Sequence, residues 1–130
     1  MTDVVELSIP VAADLVVLAR LTASTVAARA NFDVEEIEDL RLAVDELCIS
    51  VVHDRSDGRL SLRFTRDDDE VEVSCRLLPA SGGRSTGSLT PTENGLSERI
   101  LDALVDEHGH GPEDGLPTAW LRKRRVRQNS

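Results

Sequence analysis

The sequence lacks the long apolar run that a membrane helix requires: nothing in its 130 residues approaches the roughly 18 consecutive apolar positions that suggest a span. It opens Met1-Thr2-Asp3, without the basic and apolar regions of a secretory signal, so a cytoplasmic protein with no membrane partner is expected. Cysteine is scarce. Cys48 and Cys75 form no CxxC pair and stand among apolar neighbours in regular patterns, which points to buried thiols and not to a metal or redox site. Bases are few and unevenly placed, since Arg122, Lys123, Arg124, Arg125 and Arg127 crowd the last ten residues. The first 120 residues therefore hold ten bases against all 24 acids, a formal charge of −14. Such a body repels phosphate backbones, and direct nucleic-acid binding is not expected. The basic end reads as a strand running into a solvated terminus, or as a contact for an acidic partner.

What is present suffices for a fold. Apolar residues make up 40% and charged residues 30%, too hydrophobic a balance for disorder throughout. The length fits one domain, placed at residues 1–126 with 127–130 as a basic tail.

The patterning predicts a strand with Val5, Leu7 and Ile9 inward, ended by Pro10, and then a helix from Ala12 to about Arg29 with Leu15, Leu18, Val26 and the alanines on its apolar side. Asn31 can close that helix. Asp33 and Glu36 form an acidic variant of the capping box and open a second helix, whose stripe is Ile37, Leu40, Val44, Leu47, Cys48 and Val51. Ser56-Asp57-Gly58 is turn chemistry. Two alternating runs follow, Leu60, Leu62, Phe64 and Val71, Val73, Cys75, Leu77, which predict a hairpin with one buried face. The Gly, Ser and Thr-rich stretch between Pro79 and Asn94 is where mobility is expected. A third helix is predicted from about Gly95 to Glu107 with Leu96, Ile100, Leu104 and Val105 inward, then a turn-rich His108 to Pro117, then a last strand from about Thr118. The order strand, two helices, two strands, helix, strand favours an α+β sandwich: a mixed sheet with helices packed on one face.

Chemistry is harder to find. His108 and His110 have no carboxylate or thiol at a convincing ligand spacing, no GxSxG turn occurs, and Gly82-Gly83 and Gly87 match neither phosphate-loop pattern. Glu46, Ser50 and His53 share the side of the second helix opposite its stripe, with Asp39 one or two turns before. That side is either a solvated face or one wall of a nucleotide cleft.

Two long segments carry a resemblance: Ala19-Arg20-Leu21-Thr22-Ala23-Ser24-Thr25-Val26-Ala27-Ala28-Arg29, and Glu36-Ile37-Glu38-Asp39-Leu40-Arg41-Leu42-Ala43-Val44-Asp45-Glu46. With the hairpin, and with Asn94-Gly95-Leu96 through Leu104-Val105-Asp106-Glu107, nearly the whole chain resembles the anti-sigma-factor serine kinases of bacterial stress and sporulation switches. These belong to the GHKL group, whose Bergerat-type fold is an α+β sandwich. The resemblance implies a cytoplasmic homodimer that holds a sigma factor away from RNA polymerase and is released by an anti-anti-sigma antagonist. It also implies ATP and Mg2+ beside the second helix in active members. By position, Glu46 takes the place of the general base, Asn94, Gly95 and Leu96 that of the last glycine box, and Arg20 that of a partner-contacting arginine. Three departures stand out. Ser50 replaces a magnesium-binding asparagine, Asp54 replaces a histidine with His53 one place early, and Cys75-Arg76-Leu77-Leu78-Pro79 offers no aspartate for adenine. Weak or absent ATP and Mg2+ binding is therefore expected, and sequestration of an alternative sigma factor is favoured over phosphorylation of the antagonist. A dimeric interaction domain with another client is the third reading.

Overall fold

The computed structural model describes residues 2–52, 57–80 and 95–126. Strand β1 (Thr2–Pro10) leads through a single 3-10 turn into α1 (Val16–Arg29) and α2 (Val34–Val52). β2 (Arg59–Asp67) and β3 (Glu70–Leu78) follow, then α3 (Leu96–Leu104), β4 (Glu107–Glu113) and β5 (Leu116–Arg124). No helix among the described residues is long and apolar enough to cross a membrane.

Local chemistry sets the element ends. Asn31 takes a left-handed φ of 62° after α1, a conformation asparagine tolerates better than most residues. At the start of α2 the capping box is closed in both directions: the Glu36 amide donates to Asp33 Oδ1 at 2.8 Å, and the Asp33 amide donates to Glu36 Oε1 at 2.9 Å. Gly58, at φ 99°, lets the chain turn into β2 where an added Cβ would lie 2.6 Å from the Leu78 carbonyl oxygen.

The five strands form one sheet in the order β1-β2-β3-β5-β4, and every pairing is antiparallel. This corrects the expected mixed sheet, and the cause is β4. A single helix between β3 and the last strand would make a parallel crossover. The edge strand Glu107–Glu113 adds a second pass, so β5 returns antiparallel beside β3. β4 lay hidden in the stretch read as turns, Glu-His-Gly-His-Gly-Pro-Glu, which has no apolar alternation. Its proline is tolerable on an edge strand. Asp114 and Gly115, both at positive φ, make the tight hairpin turn into β5. Between β1 and β2 two helices make the return, again an even number of passes.

The helices cover one face of the sheet. Leu60, Leu62 and Phe64 of β2, Val71, Val73, Cys75 and Leu77 of β3, and Ala119 and Leu121 of β5 are buried beneath Leu40, Val44, Leu47, Cys48 and Val51 of α2. Each large side chain so buried contributes about 1.5–3 kcal/mol. Cys48 and Cys75 meet inside this layer, and their mutual contact together with burial pushes the Cys75 thiol well above its ordinary pKa. These are inert core thiols, as the sequence suggested.

One helix departs from the expected stripe at a single residue and another packs in a different phase. α1 buries the small residues Ala19, Ala23, Val26 and Ala27, while Leu18 is exposed, because a stripe of alanines lets the helix approach its neighbours closely. α3 ends at Leu104, short of Glu107, and buries Ser97 and Leu101. Leu96 is exposed, and Ile100, Leu104 and Val105 are only partly covered. A serine has taken the inward position that the apolar pattern assigned to its neighbours.

Among the described residues no helix covers the other face of the sheet, which is polar. It carries Arg63, Thr65, Glu72, Ser74, Trp120 and Arg122 around a shallow recess of about 420 Å³. Arg122 bridges three strands there, lying 3.0 Å from Glu72 and 2.8 Å from Glu107, and these acids raise its pKa. Gly109 lies beneath Trp120, where an added Cβ would stand 2.7 Å from the indole nitrogen.

Candidate functional site

The polar side of α2 meets the first turn of α3. Glu46, half-buried, accepts a hydrogen bond from the Ser97 hydroxyl, with Ser97 Oγ 2.5 Å from Glu46 Oε1. Ser97 is 9% exposed, so the bond is shielded from most competing water. Gly95 precedes α3 at φ 63°, and no side-chain cap satisfies the first turn of this helix. Leu96 lies between them. The structure thus brings Glu46 to the Gly95-Leu96 end of α3, and Ser97 is the residue that joins them.

α3 is held by further polar contacts. His110 Nε2 lies 3.2 Å from Glu98 Oε1, and His108 Nε2 lies 2.6 Å from Asp102 Oδ1. At the other end of the helix, the only lysine of the chain, Lys123, donates to the Leu104 carbonyl at 2.8 Å with Asp39 3.9 Å away. A cation at the carboxyl end of a helix complements the dipole there. Asp39, two turns before Glu46 on the same side of α2, thus faces β5 and Lys123.

Ser50 stands one turn after Glu46, and its hydroxyl donates to the Leu47 carbonyl at 2.8 Å within its own helix. Arg20 is on α1 at the same level as Asp45, 3.6 Å from its Oδ1, with both side chains about a third exposed. The Arg20 Nε atom is buried and makes no hydrogen bond, since 3.6 Å is an ion-pair distance and not a bonding one. Val17 and Leu21 beside it on α1, and Leu42 on α2, are exposed apolar side chains. Asp54, His53 and Asn94, and the stretch 81–94 expected to be mobile, lie outside the described residues, as does the 127–130 tail.

Against a magnesium nucleotide, the described residues supply part of what is needed: the Glu46 carboxylate beside the Gly95-led first turn of α3. No group of three or more His, Cys, Asp or Glu side chains able to hold a metal ion occurs among them. β3 ends Arg76-Leu77-Leu78 without a carboxylate. Sequence reasoning missed Ser97 and Asp45. No periodic signal marked Ser97, which takes an inward position beside the Leu96 that the apolar pattern put there.

This geometry, an antiparallel sheet with three helices on one face and a glutamate-bearing helix against a glycine-led one, is matched by sequence comparison. Residues 9–116 match the histidine kinase-like ATPase domain, and the chain belongs to that family. Within it the chain is similar to the serine-protein kinase RsbW of several bacilli. The identity is 39% to that of Bacillus pumilus, covering 95% of this chain and 90% of the relative. It is 33% to that of Bacillus velezensis, over 92% and 85%, and 32% to that of Bacillus subtilis, over 95% and 89%.

Proposed function

We propose that the chain is an anti-sigma factor: it sequesters an alternative sigma factor and is released by an anti-anti-sigma antagonist, with its ATP binding weakened or lost. The family match supports the scaffold, and the resemblance of the Arg20 and Glu46 segments supports the partners. Arg20, with the exposed Val17, Leu21 and Leu42 near it, supplies the partner surface. The protein works in the cytoplasm as a homodimer, a reading supported by the uncovered sheet face, whose charges of both signs suit a second copy.

One observation favours sequestration over catalysis. Position 50, where a magnesium ligand is required, carries a serine whose hydroxyl is held back against the Leu47 carbonyl of its own helix, and a hydroxyl is a shorter and weaker ligand for a hard cation than an amide carbonyl. With Asp54, Asn94, Gly95 and Leu96 completing the nucleotide positions, the kinase is the second reading. It is favoured by the names of the RsbW relatives and by the retained Glu46, which would take the proton of the attacking hydroxyl. Titration calorimetry with MgATP decides between them. Sequestration alone predicts no binding in the micromolar range. A micromolar dissociation constant abolished by Glu46→Ala and by Ser50→Ala restores the kinase.

A further inference from the structure

α3 is a nine-residue helix with Leu101 as its one buried apolar side chain. Such a helix is marginal by itself, so its position depends on the contacts that pin it. Three of these face β4 and β5: Glu98 with His110, Asp102 with His108, and the Leu104 carbonyl with Lys123. Another crosses to α2 and is shorter than these three, the bond from Ser97 to Glu46. It sets a carboxylate against the first turn of α3, the end of the helix that attracts anions.

We propose that the Ser97–Glu46 hydrogen bond is an autoinhibitory latch that holds α3 against α2 and opposes nucleotide entry. The inference rests on the reading of Glu46, Gly95 and Leu96 as nucleotide positions, and it supplies a cause for the weak binding beyond the altered Ser50. Two effects act together. The carboxylate of Glu46 is held beside the first turn of α3 by the Ser97 hydroxyl, so an incoming triphosphate meets a negative charge already in place. The bond also ties the helix that carries Glu46 to the one led by Gly95, the two elements that hold these proposed nucleotide positions. A hydroxyl is required for this. Threonine in place of Ser97 keeps the donor and alanine removes it.

The test is made on the full chain with two readouts. In hydrogen exchange without nucleotide, Ser97→Ala speeds exchange of the α3 amides from Arg99 to Leu104, while Ser97→Thr leaves them as in the parent. In titration calorimetry, Ser97→Ala binds MgATP about tenfold more tightly than the parent, the gain expected when one charge-assisted bond no longer has to be broken, and Ser97→Thr does not. Unchanged exchange in Ser97→Ala overturns the latch itself. Faster exchange with MgATP affinity no higher than the parent's overturns its role against nucleotide and leaves the sequestration reading standing. Micromolar binding by the parent chain contradicts both.

Discussion

Arg20 on α1 and Asp45 on α2 face each other at 3.6 Å, one residue before Glu46, so the arginine proposed to contact a partner is tied to the helix proposed to carry the nucleotide position. An ion pair this exposed is worth little to stability, and its loss should leave the fold intact. The same exposure makes Arg20 available to an acidic partner, which would displace Asp45.

Replacing Arg20 by Ala is therefore expected to weaken sigma-factor binding at low salt and to flatten its salt dependence, with the melting temperature little changed. Asp45→Ala frees the arginine and should speed association. Affinity measured for both variants at two ionic strengths checks this. Equal affinity for parent and Arg20→Ala at both removes Arg20 from the interface.

Glu36 holds two parts of the chain together. Besides closing the capping box with Asp33, its Oε2 accepts from the Val126 amide at 2.6 Å, although the residue is 7% exposed. Glu36→Ala removes two hydrogen bonds to a charged acceptor, from the Asp33 and Val126 amides, and should cost about 1.5–3 kcal/mol, whereas Asp33→Ala loses one cap and should cost about 1 kcal/mol. Urea unfolding of the two variants gives the order, and a larger loss for Asp33→Ala would contradict it.

Asp3 receives Arg29 at 2.8 Å and Arg66 at 2.7 Å, fastening β1 to the end of α1 and to β2. These guanidinium groups lower its pKa from 3.8 to about 2, with the Arg29 hydrogen bond the larger cause. A carboxyl depressed in the folded state contributes stability above its unfolded pKa and loses it as pH falls toward the folded one. The difference in urea midpoint between the parent and Asp3→Asn should be constant above about pH 5, shrink below 3.8 and close near 2. A difference that does not change with pH would exclude the pair as its source.

The parts of the fold legible in the sequence were those that bury an apolar face at a regular period. α2, with Leu40, Val44 and Leu47 inside, and the β2–β3 hairpin stand where their patterns put them. The capping box of Asp33 and Glu36 was equally plain, because its chemistry is local. β4 was not legible, since an edge strand paired on one side can be built from His, Gly and Pro. Missing it turned an antiparallel sheet into a mixed one, although Asp114-Gly115 already signalled the hairpin. Around the candidate site, position alone placed Glu46 and Arg20 on their helices. Their partners Ser97 and Asp45 are made by tertiary packing, which a period cannot report.

The central claim is that this chain captures a sigma factor without help from nucleotide. Sedimentation of the purified full chain mixed with each purified alternative sigma factor of its own host, with and without MgATP, tests that most directly. The account predicts a stoichiometric complex with one of them that forms equally well in both conditions and is weakened by Arg20→Ala. Failure of every such sigma factor to sediment with the chain, or a complex that forms only with MgATP present, would contradict it.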